Sequence, residues 1–186
     1  MDDAKMTDIY DAQETLSDLR WQYWQQEVVF SWRWWLLLTA SLVMIGVWLK
    51  LARKNEKPLL LLYALITLLI AVTLDVVGAE LLLWDYPYMV LPWGARLFSA
   101  DLGLGIILSL LYQYFRSWSG FAAASTCAAA VFAFVLEPLL IWLNIYNAYA
   151  WEHYYSFPCY IALACGLKAF TDYAARRGGN QLAGRG

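Results

Sequence analysis

The sequence predicts an all-α fold: an integral membrane bundle of about five transmembrane helices, preceded by an N-terminal amphipathic helix at the interface. Composition is the first reason. Of 186 residues, 62% are hydrophobic and 17% aromatic, against 15% charged, far more apolar than an ordinary soluble domain. The second is distribution, since the charges gather outside long apolar stretches, as a bilayer requires when unpaired charge is costly in hydrocarbon. The third is length: five stretches approach the roughly 20 apolar residues that cross a ~30 Å hydrocarbon core.

Residues 1–32 carry seven acids and lead into WQYWQQEVVFSWRWW, where Trp21, Trp24, Val28 and Trp32 recur at helical spacing. An amphipathic helix on the membrane surface is expected there. The segment lacks the basic region and short apolar core of a cleavable signal peptide. Spans are then expected at Trp34–Leu51, Pro58–Trp84, Leu97–Phe115, Gly120–Leu143 and Ser156–Tyr173 within a bundle over 33–175. The second is long enough to tilt or to stop near Glu80. The tail, 176–186, contains GGNQLAGRG and is expected to be flexible.

Basic residues set the orientation. Lys50, Arg53, Lys54 and Lys57, then Arg116, then Arg176, Arg177 and Arg185 fall on one side of a five-span chain. The positive-inside rule makes that side cytoplasmic, with the N-terminus outside and the C-terminus inside the cell membrane. The opposite loops, WDYPYMVLPWGAR and NIYNAYAWEHYY, hold one clear base, Arg96, in a band of Trp and Tyr typical of an interface.

Acids inside the spans carry the main functional signal. At 1.5 Å per helical residue, Asp75 lies roughly 24 Å from Leu59, Glu137 roughly 26 Å from Gly120, and Asp101 about 21 Å from Phe115. Three helices thus offer a carboxyl at nearly one depth in the outer half of the bilayer. Glu80 stands about 8 Å higher than Asp75, and Asp85 belongs to the rim. Intramembrane acids usually face a cavity or pair with another group, although Asp101, Glu80 and Asp85 are near enough to the outer end to serve as rim acids. Pro138, after Glu137 in FVLEPLLIW, is expected to kink the fourth span.

His153 in AWEHYYSFP reads as a titratable residue at the outer mouth; without a second His or a Cys partner it points to no metal site. Tyr112, Gln113 and Lys168 fit the cytoplasmic interface, where lysine snorkels. The small residues of GFAAASTCAAA allow close helix approach. Cys127, Cys159 and Cys165 read as small apolar residues. Phosphate loops, nucleophile elbows and zinc signatures are missing, no cofactor is called for, and no basic patch suggests nucleic acid.

The segments LDVVGAELLLWDYPY, LLYQYFRSW, LEPLLIW and WEHYYSFPCY, taken in order, resemble an uncharacterised family of small polytopic membrane proteins from spore-forming bacteria. The likeness spans about residues 30–173. It implies the multi-pass topology and draws attention to Asp75, Trp84, Tyr86, Gln113, Glu137, Trp151 and Ser156, without implying an activity.

The candidate acids are therefore Asp75, Asp101 and Glu137, with Glu80, Trp84, Tyr86, Gln113, Trp151, His153 and Ser156 as ligand contacts. One reading is a pocket for an apolar or isoprenoid-like ligand. A second is a membrane-integral enzyme resembling terpene cyclases, with a carboxylic acid as proton donor. A third is a small proton-coupled transporter. The partners implied are the lipid bilayer, an apolar small molecule and, in an oligomer, further copies of the chain.

Overall fold

The computed structural model describes residues 5–92 and 100–183, and the chain is helical almost throughout. Helix α1, Met6–Tyr23, is followed by a π-turn at Trp24–Val28. Helices α2, Trp32–Leu51, and α3, Lys57–Glu80, come next, and the two-residue strand β1, Trp84–Asp85, ends the first half. Helix α4, Ala100–Tyr114, precedes a continuous helical rod: α5, Trp118–Val131, a π-turn at Phe132–Leu136, and α6, Glu137–Trp142. Strand β2, Asn147–Ala148, and helix α7, His153–Ala183, complete the chain.

Three of these helical segments are long and apolar enough to cross a membrane: Trp32–Leu51, Lys54–Glu80 and Trp118–Trp142. Their ends follow local chemistry. The Ser31 side chain accepts from the Trp34 N–H and starts α2, and Ser117 does the same for Gly120 at α5. Helix α3 closes with Leu82 in the left-handed region at φ 54°, where the Leu83 N–H reaches the Gly78 carbonyl over 2.9 Å. The second expected span therefore stops at Glu80, and Trp84 lies in a strand.

Helices α3, α4, α5 and α7 pack as a ring, with α3 on α4, α4 on α5, α5 on α7 and α7 back on α3, while α2 lies against α4. In hydrocarbon such packing relies on close fit and interhelical hydrogen bonds rather than on water exclusion. Gly105 supplies the fit: a Cβ there would sit 2.8 Å from the Ala64 carbonyl of α3. The Trp48 indole donates to Ser109 Oγ over 3.0 Å, linking α2 to α4. Phe121, Ser125 and Ala129 are the buried face of α5.

The ends of the bundle are tied differently. At one end β1 pairs antiparallel with β2, Trp84 opposite Ala148 and Asp85 opposite Asn147, joining the connection after α3 to the one after α6. Arg33 at the start of α2 reaches this end, donating to the Leu143 carbonyl and the Tyr88 hydroxyl. At the other end Arg116 pairs with Glu56.

One expectation needs correction. The Trp21–Trp32 stripe is not one helical face, because the chain breaks between the π-turn and α2; Trp24 donates to the Met89 carbonyl and Val28 is buried, whereas α1 buries no residue. The described part of the tail is helical to Ala183. Arg96 and the start of the third span at Leu97 lie outside the described residues.

Candidate functional site

Where α3, α4, α6 and α7 approach the strapped end of the ring they enclose a cavity of about 290 Å³. Asp75 and Gly78 come from α3, Trp84 and Tyr86 from the segment after it, Asp101 and Leu104 from α4, Phe132, Glu137 and Leu140 from the α5–α6 rod, and Trp151, Ser156, Cys159 and Tyr160 from the last segment. Three carboxyls on three helices thus share one chamber with a wall of aromatic rings.

Glu137 is the best-defined polar group. It is 9% exposed. Its Oε1 accepts from the Tyr160 hydroxyl over 2.7 Å and its Oε2 from Ser156 Oγ over 3.1 Å. Ser156 in turn accepts from the Trp151 indole over 2.8 Å. An indole N–H can only donate, so the chain runs from Trp151 through Ser156 to Glu137. Sequence reasoning named all three but missed Tyr160. Its signal was present: Ser156 and Tyr160 are four residues apart, one turn on the same helical face.

The backbone explains how a carboxyl reaches this position. Pro138 has no N–H and disfavours an undisturbed α-helix, and the chain answers with the π-turn at Phe132–Leu136, its last bond running from the Glu137 N–H to the Phe132 carbonyl. A π-turn thus stands where the sequence suggested a kink, and π-turns inside α-helices recur at functional sites.

On the opposite wall Asp75 Oδ1 accepts from the Tyr86 hydroxyl over 3.3 Å. Burial first, and then the charges of Asp75 and Asp101, push the Tyr86 hydroxyl well above the usual tyrosine range, so it stays protonated and able to donate. Asp101 is 6% exposed. The Trp84 ring rests on Gly78 and meets the Trp151 ring edge-on at 5.0 Å. Its Nε1 is buried and finds no hydrogen-bond partner among the described residues.

Three sequence candidates stand elsewhere. Glu80 is exposed and borders a separate cleft of about 50 Å³ with Arg20 and Asp85. His153 packs edge-on against Phe134 at 5.9 Å. Gln113 is fully buried toward the opposite end, where Oε1 accepts from the Arg53 N–H over 2.7 Å and Nε2 donates to the Leu51 carbonyl over 3.2 Å. It closes the end of α2. Gln113→Ala should therefore cost about 1–3 kcal/mol, as buried polar groups losing a partner do, and lower thermal stability while leaving the distant cavity unaltered; an unchanged Tm would contradict this bracing role.

Lys168 was expected to snorkel, yet it is only 2% exposed. Its Nζ lies 3.4 Å from Asp172 Oδ2 and within 4.9–5.3 Å of the ring centres of Tyr112, Trp118 and Phe121. Rings and a carboxylate replace the water that snorkelling would have sought.

No family model, curated protein or solved structure matches the chain. Among the described residues no cluster of His, Cys, Asp and Glu could hold a metal ion. The chamber can hold an apolar body against its rings and fix one polar end by hydrogen bonds.

Proposed function

We propose that the chain is a multi-pass membrane protein whose outer-half pocket binds an apolar, isoprenoid-like ligand. The packing of α4 and α7 alongside the three long apolar helices supports a count of five spans. The end carrying Arg53, Lys54, Lys57 and Arg116 is then cytoplasmic and the strapped end outside. Leu42, Val43, Leu61, Leu62, Leu65 and Leu69 are exposed on α2 and α3, as a lipid-facing surface demands.

The observation that carries the binding reading is the cavity itself, apolar and aromatic over most of its wall, with Glu137 fixed on both oxygens by Ser156 and Tyr160. Ligand pockets generally combine an apolar lining with a few placed polar groups. A proton-donating enzyme would need an O–H of Glu137 aimed at the substrate; here both oxygens are drawn on as acceptors, which favours holding a ligand over protonating it.

Farnesol offered to the purified protein in nanodiscs should bind saturably. Glu137→Gln keeps the shape but gives one position an NH₂ that cannot accept from Ser156 or Tyr160. Affinity should fall about ten- to a hundredfold, the equivalent of 1.5–3 kcal/mol for a hydrogen bond to a charged group. Equal affinity in the two proteins would overturn the role given to Glu137, and absence of saturable binding to the parent protein would overturn the reading as a whole.

A further inference from the structure

Resting on that reading, we infer that the pocket is loaded sideways from the hydrocarbon, through a portal between α3 and α7, by a single-chain lipid whose head is an uncharged hydroxyl.

The portal follows from which wall residues also face outward. Leu74 on α3 lines the cavity while 54% exposed, and Val77 beside it is 50% exposed. Cys159 on α7 lines the cavity and is exposed too. Further along the same pair of helices the gap is shut, since the buried Tyr63 hydroxyl reaches across from α3 to the Ala164 carbonyl of α7 over 3.4 Å. At the strapped end Trp84 and Trp151 meet ring to ring. The opening is therefore lateral, framed by apolar side chains on the lipid-facing side of α3.

Size limits what enters. The cavity, about 290 Å³, is roughly twice the ~150 Å³ hole that accepts benzene. It holds a head and the first part of one chain, and the remainder extends through the portal into lipid.

Hydrogen bonding selects the head. The Glu137 oxygens accept donors. An ammonium donates but must shed its hydration to pass a hydrocarbon portal, and an ionised carboxylate or phosphate faces the same desolvation cost and offers Glu137 no donor. A hydroxyl donates without carrying charge into the hydrocarbon.

Farnesol, farnesylamine and farnesyl phosphate, which share one chain, separate these statements in nanodiscs. Farnesol should bind tightest. Tighter binding of the amine or phosphate overturns the head-group assignment. For the portal, a chain with Cys127→Ser and Cys165→Ser is alkylated at Cys159 with N-benzylmaleimide, and Leu74→Trp narrows the other side independently. Each should slow farnesol association about tenfold with a smaller change in final affinity, as restricted access acts on the association rate. Saturable binding at an unchanged rate in both proteins overturns the portal and spares the pocket, whereas no saturable binding of any probe to the parent chain overturns the pocket and the portal together.

Discussion

Gly78→Ala is expected to cost the pocket its ligand while leaving most of the bundle intact. A Cβ at residue 78 overlaps the six-membered ring of Trp84 at Cζ2, Cε2 and Cη2, atoms of a rigid ring rather than of a flexible chain. Trp84 cannot retreat freely. The Leu83 carbonyl beside it accepts from the Tyr149 and Ala150 N–H groups over 2.9 and 3.0 Å, β1 is paired with β2, and the ring abuts Trp151. Overpacking of this kind costs about 1–3 kcal/mol, against a gain of roughly 0.8–1.0 kcal/mol from replacing glycine by alanine inside a helix. The net loss in global stability is about 0–2 kcal/mol, and the damage should concentrate on Trp84 and on binding. Farnesol affinity should drop about ten- to a hundredfold, the equivalent of 1.4–2.8 kcal/mol, with Tm lowered by no more than about 8 °C. Parent-level affinity would mean that the strap yields and that Gly78 does not seat Trp84.

Lys168→Ala should give the largest loss of stability. The substitution leaves Asp172, among the described residues, with the Tyr112 hydroxyl at 3.1 Å, and opens a gap among Tyr112, Trp118 and Phe121. Breaking one side of a buried ion pair costs about 3–5 kcal/mol. Asp172 is 25% exposed, so water relieves part of that charge, and the lower part of the range is expected. Because truncation also removes packing, Lys168→Met combined with Asp172→Asn isolates the charge: replacing both members with groups of similar volume should recover most of the stability, as paired replacement often does. Reversible unfolding in mixed micelles reads both proteins. A Lys168→Ala loss below about 0.5 kcal/mol, the level of surface substitutions, would show that the pair and its aromatic cage hold nothing together.

The helices and the shared cavity wall were legible because they depend on local spacing. Counting residues along an apolar run gives depth, and depth alone placed Asp75, Asp101 and Glu137 at one level; the structure gathers all three around one cavity. Direction was harder. Gln113 was drawn in by the resemblance and Glu80 by its place in an apolar run, but which way each faces depends on neighbours distant in sequence, the backbone at Leu51 and Arg53 for the former and the cleft with Arg20 for the latter. The same limitation hid the Lys168 cage, whose three rings come from α4 and α5. Tyr160 escaped notice because tyrosine near a span end usually marks the interface. The β1–β2 pair has no signal at all in two residues per strand, and it arises only once α3 and the α5–α6 rod bring their ends together.

The π-turn before Glu137 has a consequence for rotational phase. Five buried residues along the rod, Phe121, Ser125, Ala129, Ala133 and Glu137, recur every fourth position, with Phe132 buried beside them. In an unbroken α-helix each such step overshoots a full turn by about 40°, so four steps would carry Glu137 roughly 160° around the axis from Phe121. One wider turn takes up an extra residue, about 100° of that drift, and brings the carboxyl back toward the chamber. The orientation of Glu137 is thus set by how one surplus residue is absorbed. Closing the π-turn into α-helix at a constant residue number would swing the acid about 100° away from the chamber, whereas deleting one residue from 132–136 removes the surplus and the wide turn together and should leave the acid facing the chamber.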